Sequence, residues 1–182
     1  TTMLAVCMVA HPDDCVIFGY SYIHAHPELD WTIAYLTYKP WDSRAQEMAN
    51  FWAARGINCI FLGYPDIWES VQNHELGFDP EQSGREIANI CRAFDLVLTH
   101  DAEGDYGHVH HKHVHTHAQH PNRVLFAGTN QGNCRLGVPR GTYSLDELPE
   151  HGKIIAGFHQ NHHTNEYVIP DNVKVLLGLI KT

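Results

Sequence analysis

Two short segments carry residue types that bind divalent metals. The first is Ala10-His11-Pro12-Asp13-Asp14, an imidazole and two carboxylates side by side. The second is Thr99-His100-Asp101-Ala102-Glu103-Gly104-Asp105-Tyr106-Gly107-His108-Val109-His110-His111. A helix starting near His108 places His108 and His111 on one face, because residues three apart are neighbours on a helix surface. His115 lies near that face too, so His111 and His115 form a competing pair at i,i+4 spacing. On the same phase, His110, His113 and His117 fall off the ligand face. Together the segments offer His, Asp, His and a spare Asp. Three protein ligands and an open position suit a catalytic Zn2+. Two His and one carboxylate describe a non-haem Fe2+ site equally well. Each segment also has a plainer reading: an Asp after a strand commonly caps a helix, and a histidine tract binds metal adventitiously.

The elements around these segments decide whether they meet. Met3 to Ala10 is a continuous apolar run, the pattern of a strand buried on both faces. Pro12 suits the first turn of a following helix, expected over Val16 to His26. Trp31 to Tyr38 reads as the second strand, and Ser43 to Arg55 as a helix ended by Gly56. Ile57 to Leu62 is the third strand, followed by a loop rich in Gly, Pro and Asp and a helix over Gln82 to Phe94. Asp95 to Thr99 and Arg123 to Ala127 are the fourth and fifth strands. Strands alternating with helices predict a doubly wound α/β fold with a mainly parallel sheet. HPDD and the second segment then both follow strand carboxyl ends, where ligands bind in open α/β sheets. Beyond the fifth strand, Leu148 to His163 reads as a helix and Val173 to Ile180 as an apolar segment of either type.

Composition narrows the classes. The 182 residues suit one domain over 1–182, and the net charge of −9 argues against a general nucleic-acid binder. No run of 18 apolar residues predicts a membrane span, and the start lacks a basic signal-peptide region. Cys7, Cys15, Cys59, Cys91 and Cys134 are odd in number and form no CxxC pair, which reads as reduced thiols in a cytoplasmic protein. The sequence does not report whether the chain forms a homo-oligomer. Histidine is the outlier at 16 residues, seven of them among the thirteen from His108 to His120. Most of that tract is expected to do nothing specific.

Several motifs resemble one family. Ala10-His11-Pro12-Asp13-Asp14 is similar to the AHPDD signature of the LmbE/PIG-L deacetylases, and Gly104-Asp105-Tyr106-Gly107-His108-Val109-His110-His111 resembles their G-x-Y-G-H-P-D-H motif. Between them, Arg44-Ala45-Gln46-Glu47 resembles the R-x-x-E helix, and Leu62-Gly63-Tyr64-Pro65-Asp66 the L-G-x-x-D turn. The order matches over residues 3–111, and the first and last motifs are the specific ones. The resemblance implies a Rossmann-like fold and zinc-dependent removal of acetate from an N-acetylated amino sugar, a small soluble N-acetylglucosamine-type conjugate. It implies His11, Asp14 and His111 as metal ligands and Asp13 as general base. It implies His108 at the developing oxyanion with Tyr106 a second candidate, and Arg44 and Asp66 on sugar hydroxyls.

Two departures qualify the resemblance. Val109 and His110 stand where the family has Pro and Asp, an aspartate that can orient and charge the neighbouring histidine. Asp101, Glu103 and Asp105 are the nearby replacements for that carboxylate. The chain is also short for the family, which implies a reduced region after the fifth strand. Outside the resemblance, Arg44 reads as half of a surface ion pair with Glu47, and Asp66 as a turn residue. His159, His162 and His163 read as a solvated helix face. Trp41, Trp52 and Trp68 are core or sugar-stacking groups, with Trp68 nearest the Asp66 turn. Three readings compete with the hydrolase: a non-haem iron enzyme on the same ligands, a non-catalytic histidine-rich metal-binding protein, and a relative of the same fold whose catalysis is impaired by His110.

Overall fold

A computed structural model of the chain describes residues 2–126, without the side chains of Ile17, Ser21, Ala25 and Tyr106. The expected elements at Leu148 to His163 and Val173 to Ile180, and the last residue of the fifth strand, lie outside the described residues. Five strands form one parallel sheet: β1 (Leu4–Val9), β2 (Asp30–Thr37), β3 (Asn58–Tyr64), β4 (Leu96–Thr99) and β5 (Arg123–Leu125). Their order is β3-β2-β1-β4-β5, and every pairing is parallel. The six helices described are α1 (Tyr20–Ala25), α2 (Ser43–Ala53), α3 (Trp68–Gln72), α4 (Pro80–Arg92), α5 (Gly104–Gly107) and α6 (Val109–His117).

The apolar run of β1 follows from its central place. Ala5, Cys7 and Val9 face a core with Phe18, Met48, Trp52 and Tyr35. Val6 and Met8 face a second core with Ile87, Cys91 and Val114 from α4 and α6. Side chains alternate along a strand, so a sheet covered on both faces needs apolar residues at every position. The doubly wound α/β expectation therefore holds, and its strand boundaries shift by one or two residues. None of the helices described is long and apolar enough to cross a membrane.

Three helical expectations are corrected. The segment after HPDD opens with a π-helical turn, Cys15–Gly19, before α1. A Cβ on Gly19 would lie 3.2 Å from Cys7 Sγ, so the small residue lets this turn press on β1. Helix α4 begins at Pro80 rather than Gln82, because the Asp79 side chain accepts from the main-chain N–H of Glu81 and of Gln82. The loop after β3 contains α3, a short helix that buries none of its residues and so has no apolar periodicity to show.

The strand order reverses at β1: β2 and β3 lie to one side, β4 and β5 to the other. The crevice at the carboxyl ends of β1 and β4 is thus the topological switch point. Both motif segments emerge there. Thr99 Oγ1 donates to the Met8 carbonyl at 2.7 Å, and the Ala10 N–H donates to His100 Nε2 at 3.0 Å, so the two strand ends are tied together.

Candidate metal centre

HPDD turns back on itself just past β1. The main-chain N–H of His11 donates to Asp14 Oδ2 at 2.8 Å, and that carboxylate oxygen also lies 3.1 Å from His11 Nδ1. His111 comes from the first turn of α6. Its Nε2 lies 3.2 Å from His11 Nδ1 and 3.1 Å from Asp14 Oδ2. Three donor atoms therefore form a nearly equilateral triangle, and all three residues are buried. Metal bonds of about 2.0–2.1 Å in tetrahedral geometry set ligand atoms about 3.3 Å apart. The donor set, two imidazole nitrogens and one carboxylate oxygen, fits a divalent metal in size and chemistry, with one position left over.

A second layer fixes this triangle. Asp105 accepts from His111 Nδ1 at 2.9 Å and also from His100 Nδ1. That leaves His111 Nε2 to face the triangle, as in a carboxylate–histidine–metal arrangement. Backbone geometry makes the contact: Gly104 and Asp105 both have positive φ, at +69° and +65°. A Cβ on Gly104 would lie 2.9 Å from Lys112 Cγ, so glycine suits both the dihedral and the space. Asp101 Oδ1 holds the turn by accepting from the N–H of Glu103 and of Asp105. Of the three acidic replacements expected from sequence, Asp105 is the one bonded to a corner of the triangle, and it supports His111 and His100. Sequence reasoning did not single out His100.

Burial alone would raise the Asp14 carboxyl, but His111 and His11 outweigh it and hold Asp14 well below the usual carboxylate range. Burial likewise opposes ionisation of Asp105, yet His100 and His111 bring it down to about 2. His111 is the complement: burial lowers it, while Asp14 and Asp105 push it up to about 10. Without a metal, His111 is held between the carboxylates of Asp14 and Asp105.

His108 does not lie on α6 but caps it, with extended backbone and Nδ1 accepting the His110 N–H at 3.0 Å. Its ring is 4.5 Å from that of His11, centroid to centroid. Burial, then His11, His111 and His110, push it far below the ordinary histidine range. A neutral imidazole whose Nδ1 accepts carries its hydrogen on Nε2, and can donate from there. Tyr106 lies in α5, with its side chain outside the described residues.

The spare carboxylate, Asp13, is buried with Oδ1 3.7 Å from Arg44 Nη2. Arg44, buried in the first turn of α2, also donates to the Tyr38 hydroxyl. Tyr38 in turn donates to Asp66 Oδ2 at 3.4 Å, and Asp66 Oδ1 is 3.9 Å from His11 Nε2. Arg44 and Asp66 are thus brought beside the triangle. Tyr38, with a positive φ of 68° at the end of β2, joins them without any sequence signal. Trp52 is core, whereas Trp41 and Trp68 are exposed.

Two expectations about the histidine tract are overturned. His110 does not fall off the ligand face: it is fully buried, with Nδ1 3.0 Å from His11 Nε2. His115 makes no metal pair with His111, because its Nδ1 donates to the His100 carbonyl at 2.8 Å. His113 also turns inward, Nε2 2.8 Å from Ser83 Oγ on α4.

Residues 6–120 match the PIG-L family, described as GlcNAc-PI de-N-acetylase. An uncharacterised protein, L374, of Acanthamoeba polyphaga mimivirus is 27% identical over 126 residues, covering 59% of this chain and 52% of that protein. The chain thus spans about half the length of that relative. Among solved structures, N,N'-diacetylchitobiose deacetylase from Pyrococcus horikoshii, complexed with its inhibitor MPG, has a TM-score of 0.59 at 18% identity, covering 94% of this chain and 73% of that one. GalB, the 4-carboxy-2-hydroxymuconate hydratase of Pseudomonas putida KT2440, has a TM-score of 0.58 at 13% identity, covering 98% and 84%. At these identities, the two structures show a shared fold.

Proposed function

The chain belongs to the GlcNAc-PI de-N-acetylase (PIG-L) family, and on that premise we propose that it is a zinc-dependent N-deacetylase. It would act on a small N-acetylated amino sugar of N-acetylglucosamine type, releasing acetate and the free amine. The observation that carries this reading is the His11–Asp14–His111 triangle, with edges of 3.1, 3.2 and 3.1 Å, lying within the matched residues.

A divalent ion held by those three residues supplies a Lewis acid that acidifies water towards neutral pH and polarises an amide carbonyl. The chain's own groups do the rest. Asp13, the chain neighbour of Asp14 and not itself a corner of the triangle, would take a proton from the attacking water. The same carboxyl returns that proton to the amine as the carbon–nitrogen bond breaks. His108, whose Nδ1 accepts the His110 N–H, would offer its Nε2 hydrogen to the oxygen that gains charge. Arg44, Asp66 and Tyr38 form a polar wall suited to sugar hydroxyls.

The hydratase among the fold relatives shows that fold alone does not set the reaction. A metal-storage role for the histidine tract is disfavoured by its bonding. His110, His113, His115 and His120 each spend a ring nitrogen on an internal partner. The test is acetate release from a panel of N-acetylated amino sugars by zinc-loaded protein. The proposal expects release from at least one member, abolished by chelation and restored by zinc. Metal-independent release, or none from any member, would refute it.

A further inference from the structure

His110 is a fully buried residue of the tract to which the proposed reaction gives no role. Its two ring nitrogens have partners of different kinds. Nε2 lies 2.8 Å from the main-chain carbonyl oxygen of Leu76, in the loop between α3 and α4. Nδ1 lies 3.0 Å from His11 Nε2. A carbonyl oxygen only accepts, so the hydrogen of a neutral His110 belongs on Nε2. Nδ1 is then an acceptor, and the hydrogen between the rings must come from His11 Nε2. In the neutral form of His11 that leaves the lone pair on Nδ1, the atom at the corner of the triangle, where the His111 Nε2–H at 3.2 Å can donate to it.

We propose that His110 is a positioning residue: a relay, anchored on the Leu76 carbonyl, that fixes His11 in the tautomer whose Nδ1 binds the metal. The inference rests on the metal-centre reading above and deepens it. Hydrogen-bond partners of metal-bound histidines set ring orientation and tautomer, and their loss typically weakens metal binding about 10- to 100-fold. His111 has a carboxylate in that role, Asp105 at 2.9 Å. His11 has an imidazole instead, a neutral acceptor that passes the constraint on to the main chain. Phe78 packs its ring 5.2 Å from that of His110, tilted by 40°.

The relay makes predictions for the protein both with and without metal. In metal-free wild type at mildly alkaline pH, long-range proton–nitrogen NMR should show His11 carrying its hydrogen on Nε2. His110→Phe keeps a ring but removes the acceptor, and should weaken zinc binding about 10- to 100-fold in a chelator competition. His110→Asp restores an acceptor and should recover affinity to within about threefold of wild type. Wild-type zinc content should be one per chain. The relay is overturned if His11 carries its hydrogen on Nδ1, or if His110→Phe binds zinc as tightly as wild type. It is also overturned if wild type binds two zinc ions per chain and His110→Phe binds one, since His110 would then be a ligand itself. Wild type that binds no zinc would refute the metal-centre reading instead, while the NMR experiment would still decide the relay.

Discussion

Asp13 and Asp14 are chain neighbours of identical chemistry with different surroundings. Asp14 Oδ2 accepts from the His11 main chain and lies 3.1 Å from a ring nitrogen of each histidine in the triangle. Asp13 is no corner of the triangle, and its Oδ1 lies 3.7 Å from Arg44 Nη2. Asp14→Ala and His111→Ala should therefore lose zinc, measured as metal content after dialysis against a weak chelator. Asp13→Asn should keep its zinc and lose about 100- to 10,000-fold in turnover, the usual contribution of a general base. The proton on His111 gives a pH prediction. Asp14 and Asp105, against the effect of burial, raise it to about 10, so a metal entering the site must displace that proton. Apparent zinc affinity should rise with pH below that value, by about tenfold per unit where one proton is released. Calorimetry in buffers of different ionisation heat would report the released proton. Affinity that stays flat from about pH 6 to about pH 8 would place the proton elsewhere.

At the scale of elements, α4 and α6 lie side by side on one face of the sheet, joined by His113 to Ser83. Asp79 caps α4, so Asp79→Ala should cost about 1 kcal/mol of stability, read in a denaturant titration. The same elements show what the sequence could and could not convey. The triangle residues His11, Asp14 and His111 were legible through the resemblance of their two motifs to the family's, since helical spacing alone left His111 and His115 as a competing pair. The supporting residues were not. Asp105 reaches His111 only because Gly104 and Asp105 adopt positive φ, which no periodicity reports. His110 was misplaced because a helical wheel was drawn from His108, whereas His108 is an extended cap and α6 starts at Val109. His110 and His111 then flank the His11 ring, one at each nitrogen. Tyr38 carried no signal at all, since its role depends on the strained end of β2.

At the scale of the molecule, the sheet order puts two distant motifs into one crevice. Residues 11–14 and 100–111 meet because β1 and β4 are neighbours in register, Met8 opposite Thr99. Two cores hold that register, and Trp52 is the largest fully buried side chain of the described residues. Trp52→Ala should destabilise the fold by about 3–5 kcal/mol, seen as a lower Tm, with zinc content unchanged below the transition. The fold is shared with a hydratase, so the reaction must be read from the site rather than from the sheet. The most direct test puts wild type and Asp13→Asn side by side, each assayed for zinc content and for acetate released from an N-acetylated amino sugar. The account predicts equal zinc, one per chain, with acetate release only from wild type at a measurable rate. Near-equal acetate release by the two proteins, at equal zinc, would contradict it.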